Sequence, residues 1–86
     1  MIKGLAATAA HEVDLRSLAP AQRHKKVFQL ARQLPVGTSF VLLTDHDPKA
    51  IHYELQAEHR HQFFWNYLGE GPEQWRVHIG RLQAAG

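Results

Sequence analysis

The stretch Ser39-Phe40-Val41-Leu42-Leu43-Thr44 sets four consecutive large apolar side chains inside six residues. Successive side chains on a strand point to opposite faces, so a run of this kind calls for a central strand buried along much of its length. The remainder of the 86-residue chain has to supply the cover. A chain of that size forms one domain and buries only about 60% of the surface exposed when unfolded, so its core is thin. It has no cysteine, which excludes disulfide staples, thiolate nucleophiles, persulfide carriers and cysteine-based zinc sites. The lack of cysteine also suits a reducing compartment, and a cytoplasmic location is expected.

The patterns on either side of this run read as short elements. Glu12 to Arg16 alternates polar and apolar residues, as a strand does. Pro20 suits the first turn of a helix, where its missing N–H is no loss. Val27, Leu30, Ala31 and Leu34 then recur at helical spacing, Phe28 widens the stripe, and Pro35 and Gly37 end it. After the central strand, Asp47 and Pro48 read as the N-cap and first residue of a second helix, with Ile51 and Leu55 on one face. Phe63, Trp65 and Tyr67 alternate with Phe64, Asn66 and Leu68, giving a strand with one aromatic face. Gly69-Glu70-Gly71-Pro72 is a turn signal, and Trp75, Val77 and Ile79 mark a last strand paired back as a hairpin. The expected order is β-α-β-α-β-β. It describes an α+β fold, a two-layer α/β sandwich with two helices on one face of a four-stranded mixed sheet. The domain spans residues 11–82, with a flexible N-terminal tail at 1–10 and a C-terminal tail at 83–86.

A crossover through the first helix makes the first two strands parallel, so the chain leaves both at the same edge of the sheet. Arg16, Arg23 and His24 from one connection should then meet Asp45, His46, Asp47 and Lys49 from the next. Two helix N-termini point at this edge and bring free N–H groups with partial positive charge, which suits an anion. His24 and His46 are also the candidate ligands for a transition metal such as iron, zinc or copper, with an aspartate oxygen to assist. More ordinary roles compete: Asp47 as a cap, Asp45 as a brace or the ion-pair partner of Arg23, His24 as a hydrogen-bonded core histidine. His59 and His61 form a separate pair that chelates only if the backbone is extended there. Phe63, Trp65, Tyr67 and Trp75 read as core, and Glu70 and Glu73 as solvated turn residues.

Several function classes find no motif. There is no nucleophile elbow, no Gly-rich phosphate loop and no His-Glu-x-x-His. No apolar run approaches the roughly 20 residues of a membrane span. The formal charge is only +2, and Lys and Arg are scattered apart from Arg23-His24-Lys25-Lys26. That argues against nucleic acid, which calls for a continuous basic patch.

Three pieces carry a family resemblance. They are Val13-Asp14-Leu15-Arg16-Ser17-Leu18, Asp45-His46-Asp47-Pro48, and Trp65-Asn66-Tyr67-Leu68-Gly69-Glu70-Gly71-Pro72 together with Trp75-Arg76-Val77. Over residues 11–82 the chain resembles the bacterial family called domain of unknown function 2249, which is similar to the TusA sulfur carriers. The resemblance implies the same β-α-β-α-β-β fold. It does not carry over sulfur transfer, because Ala19 stands before Pro20 where those carriers have their cysteine. It also implies a protein partner, such as a hemerythrin-like or other redox protein. The function expected is a non-enzymatic accessory module that binds a partner protein or a small anionic ligand at the Arg23, His24 and Asp45–Asp47 edge. The alternative is a metal-binding domain using His24 and His46.

Overall fold

The computed structural model describes residues 11–82, and the tails expected at 1–10 and 83–86 lie outside the described residues. The elements are β1 (His11–Asp14), α1 (Pro20–Gln33), β2 (Ser39–Thr44), α2 (Lys49–Glu58), β3 (Phe63–Glu70) and β4 (Trp75–Arg81). The expected β-α-β-α-β-β order and mixed four-stranded sheet are both present. The strand order is β1-β2-β4-β3, with β1 parallel to β2 and the other pairs antiparallel. The hairpin strand β4 lies inside the sheet beside β2, and β3 is left at the edge. No helix among the described residues is long and apolar enough to cross a membrane.

Register explains why the helices cover one face. Val13 lies opposite Leu42, Leu42 opposite Val77, and Val77 opposite Tyr67. Residues directly opposite one another share a face. Phe40, Leu42, Val77, Ile79 and Phe63 therefore meet Val27, Phe28 and Ala31 of α1 and Leu55 of α2 in one core. Trp65 and Tyr67 pack against it half-buried. The aromatic strand is core, as its alternation predicts.

The central run is buried on both sides, since Val41 and Leu43 on the face away from the helices are only 9% and 5% exposed. Glu12 of β1 and Arg76 of β4 form a 3.2 Å ion pair across β2 on that face. Phe64 lies over Gly80, where an added Cβ would come within 2.1 Å of the ring. Glycine is needed there for the close approach.

Some boundaries differ from expectation. β1 closes at Asp14, although Leu15 N–H still reaches the Leu43 carbonyl at 2.8 Å. β3 continues through Gly69 and Glu70, which pair with Arg76 and Trp75 across a register shift, so the turn is confined to residues 71–74. At the lower end of the sheet, Arg81 donates to the carbonyls of Ala31 (2.9 Å) and Leu34 (2.5 Å), and its guanidinium lies 4.5 Å from the Phe63 ring centre. A buried cation thus caps the C-terminus of α1, where the helix dipole is negative.

The contact between Phe64 and Gly80 gives a stability prediction. Gly80→Ala should destabilise the fold by about 1–3 kcal/mol through overpacking. Combined with Phe64→Ala, the glycine change should cost clearly less than it does alone, because its obstacle is gone. Urea titration of the two single variants and the double variant measures this coupling.

Candidate functional site

The candidate site stands where the chain leaves β1 and β2. Parallel pairing places Asp14 beside Leu43, so both connections emerge at one rim. What joins them is Arg23, buried on the first turns of α1 with 9% exposure. Its Nε donates to the Leu18 carbonyl (2.8 Å). Its Nη1 donates to Thr44 Oγ1 (3.0 Å) and Asp45 Oδ1 (2.8 Å), and its Nη2 to the Arg16 carbonyl and Asp45 Oδ2 (both 3.2 Å). A guanidinium has five N–H donors, and all five are engaged. Arg23 was expected to offer donors to a ligand. Here it braces the site and contributes a wall.

Asp45 lies on the other side of this brace. Its carboxylate accepts from Arg23 and also from His46 Nδ1–H at 2.8 Å. These hydrogen bonds, Arg23 first and His46 second, hold the Asp45 carboxyl well below the usual carboxylate range. Arg16, expected in the same cluster, makes a fork with Asp14 instead, with Nε to Oδ1 at 2.9 Å and Nη2 to Oδ2 at 2.8 Å. That pairing brings the Asp14 carboxyl down to about 2. The Arg16 and Lys49 side chains are exposed and do not line the cavity described next.

A cavity of about 210 Å³ opens between the helix N-termini, lined by Pro20, Arg23, His24, Thr44, His46, Asp47, Pro48, Ala50 and Ile51. His24, His46 and Asp47, chosen from separate segments of sequence, meet there with Arg23. His24 stacks on Phe28 with ring centres 4.5 Å apart, and its Nε2–H donates to Glu54 Oε1 at 2.5 Å. It is thus both the hydrogen-bonded histidine of the ordinary reading and a cavity wall.

Asp47 does not cap α2. The N-cap is Pro48, the helix begins at Lys49, and no side chain caps it. Asp47 Oδ1 accepts instead from the Tyr67 hydroxyl at 2.6 Å. That contact adds to burial in raising the tyrosine pKa. Next to it, His52 stacks flat on Trp65 with ring centres 4.4 Å apart. Burial holds His52 toward its neutral form against the opposing charge of Asp47.

Glu54, Tyr67, Thr44 and Ala50 were not anticipated at the site. Ala50 had a signal, since it lies in the first turn after Pro48. Glu54 and Tyr67 had none, because their partners are 30 and 20 residues away. Among the described residues no group of three or more His, Asp and Glu side chains is placed to hold a metal ion. His59 and His61 lie beyond the end of α2, with His59 against Phe63 and His61 exposed at φ 62°.

The brace makes two predictions. Arg23→Ala should lower stability by about 2–4 kcal/mol, since charged hydrogen bonds to Leu18, Arg16, Thr44 and Asp45 are lost together. Chemical denaturation at neutral pH measures it. The acid limb should also depend on Asp45. Its folded pKa lies below the unfolded value of about 3.9, so the stabilisation is complete above that pH and declines as pH falls below it. Asp45→Asn should flatten the fall in stability between about pH 4 and 2 relative to the parent protein, measured by urea midpoints.

No curated protein and no solved structure matches the chain. A family model described as "Uncharacterized conserved protein (DUF2249)" matches residues 12–81, which takes in the brace, the cavity and all six elements apart from the first residue of β1. The chain belongs to that family.

Proposed function

We propose that the chain is a non-enzymatic accessory module that captures a small anionic ligand, free or presented by a partner protein, in the cavity between α1 and α2. The observation that carries the reading is the cavity itself, where the uncapped first turn of α2 meets His24, His46 and a rigid Arg23–Asp45 wall. The first amides of α2 have no carbonyl within the helix to donate to, and the helix dipole adds partial positive charge there. The hydroxyl of Tyr67 holds the Asp47 carboxylate and offsets part of its repulsion. Pro20, Pro48, Ala50 and Ile51 supply apolar walls. The volume far exceeds the ~10–15 Å³ that one water needs and is below the ~300 Å³ typical of drug-sized ligands. A short carboxylate with a small hydrocarbon body fits both limits.

A binding role is favoured over catalysis because the cavity hydroxyl, on Thr44, is buried and accepts from Arg23. It is not exposed for an imidazole to activate. The similarity to TusA carriers supports a shared scaffold, in which Ala19-Pro20 replaces the reactive cysteine and ligand capture replaces sulfur relay. The absence of cysteine fits a reducing, cytoplasmic setting, and the family kinship supports a bacterial source and a hemerythrin-like or other redox protein as partner.

Thermal unfolding with acetate, butyrate or inorganic phosphate tests the reading. At about tenfold excess over Kd, a fitting anion should raise Tm by several degrees in a domain of this size. Ala50→Phe, which fills the cavity from an exposed position, should abolish the shift, and His46→Ala should reduce it. No shift with any anion, or the same shift in Ala50→Phe, refutes the reading. A shift with zinc or copper salts in place of the anions would favour the metal site at His24 and His46.

A further inference from the structure

The outward face of α1 has an unusual charge pattern. Gln22, Lys25, Lys26, Gln29, Arg32 and Gln33 recur at helical spacing, and all six are exposed. They lie opposite the buried stripe of Arg23, Val27, Phe28 and Ala31. The helix contains no acidic residue, in its first turn or elsewhere. The face is about 16 Å long at 1.5 Å per residue. A groove of about 230 Å³ runs along it, lined by Leu18, Gln22, Lys25, Lys26 and Gln29, with Leu18 as its apolar element.

Four of the cations and histidines fall in the half of α1 nearest its N-terminus, where the dipole is positive and cations are disfavoured. Two of them are compensated inside the molecule, Arg23 by Asp45 and His24 by Glu54. Lys25 and Lys26 make no ion pair with any described residue, and neither does Arg32 further along. A local rule broken with no gain inside the fold marks a surface shaped for something outside it.

We infer that this face docks an acidic segment of a partner protein, with one aliphatic side chain of that segment seated over Leu18. An extended peptide of about five residues spans the stripe at roughly 3.3 Å per residue. Its carboxylates would meet Lys25, Lys26 and Arg32, and its backbone amides would meet the three glutamines. Nucleic acid also carries negative charge, but this face presents no aromatic ring for base stacking and only three cations. The surface is separate from the cavity between the helices, and its test does not depend on the ligand proposed there.

Fluorescence anisotropy on the full chain at low salt tests the inference. The probes are a labelled peptide of roughly ten residues alternating glutamate and serine around a central leucine, the same peptide with serine for leucine, and a uridine oligomer of equal length. The leucine peptide should bind most tightly and weaken with added salt. Lys25→Gln combined with Lys26→Gln should weaken it by about tenfold or more, whereas Arg60→Gln, in the exposed turn after α2, should leave it within about twofold. Because the two lysines oppose the helix dipole, the double variant should keep or raise its Tm, so weaker binding cannot be ascribed to unfolding. Equal peptide affinity in the double variant, a lowered Tm, indifference to the leucine, or capture of the uridine oligomer at least as tightly as the peptide would each overturn the inference.

Discussion

The guanidinium of Arg23 ties α1 to the loop after β1 and to the end of β2, which parallel pairing brings to one rim. Its five donors reach the loop after β1, the last residue of β2 and the first residue beyond it. Isolated charges are expensive to bury, and an arginine with every N–H engaged and a carboxylate beside it is one way to satisfy that requirement. Thr44 and Asp45 are fixed as a result, Asp45 orients His46, and one wall of the cavity becomes rigid. The lower end of the sheet repeats the device with Arg81, which ties the C-terminus of α1 to the end of β4 and lies on Phe63. The long helix is therefore held at each end by a buried cation, in a domain whose apolar core is thin.

This arrangement shapes the chemistry open to the site. Charges that look available in sequence are neutralised in pairs: Arg23 with Asp45, Arg16 with Asp14, His24 with Glu54. What stays open is the uncapped first turn of α2, the small apolar walls and the imidazoles at the rim. In the proposed binding role, such a site would select by shape and by backbone donors more than by net charge. Lys25, Lys26 and Arg32, which make no ion pair with any described residue, lie on the outer face of α1, so two surfaces differ in character: a small concavity, which we propose takes a compact anion, and a basic stripe, which we propose docks an extended acidic chain.

The history of Asp47 shows how far local reading reaches. An aspartate before a proline is a strong capping signal, yet the cap is absent and the carboxylate accepts from Tyr67. Alternation alone put Tyr67 on the helix-facing side of its strand. Its reach toward Asp47 follows from β3 lying at the sheet edge, beyond β4, and from the shift in register after Tyr67. Long-range pairing competes with local capping, and here a half-buried hydroxyl that needs an acceptor prevails.

Element type and order were determined by sequence alone, because hydrophobic period, proline and glycine act over a few residues. The helical stripe of Val27, Leu30, Ala31 and Leu34, the doubly buried run at Phe40–Leu43 and the aromatic alternation from Phe63 each bury the side predicted. The meeting of Arg23 and His24 with Asp45, His46 and Asp47 was also within reach, since parallel strands joined by a helix leave from one edge. Tertiary structure alone decided which charges would be consumed as braces and which groups would face the cavity. Hydrogen bonds such as Arg23 to Thr44, His24 to Glu54 and Tyr67 to Asp47 link residues 20 or more positions apart. Their geometry depends on strand order and register, which no local pattern encodes.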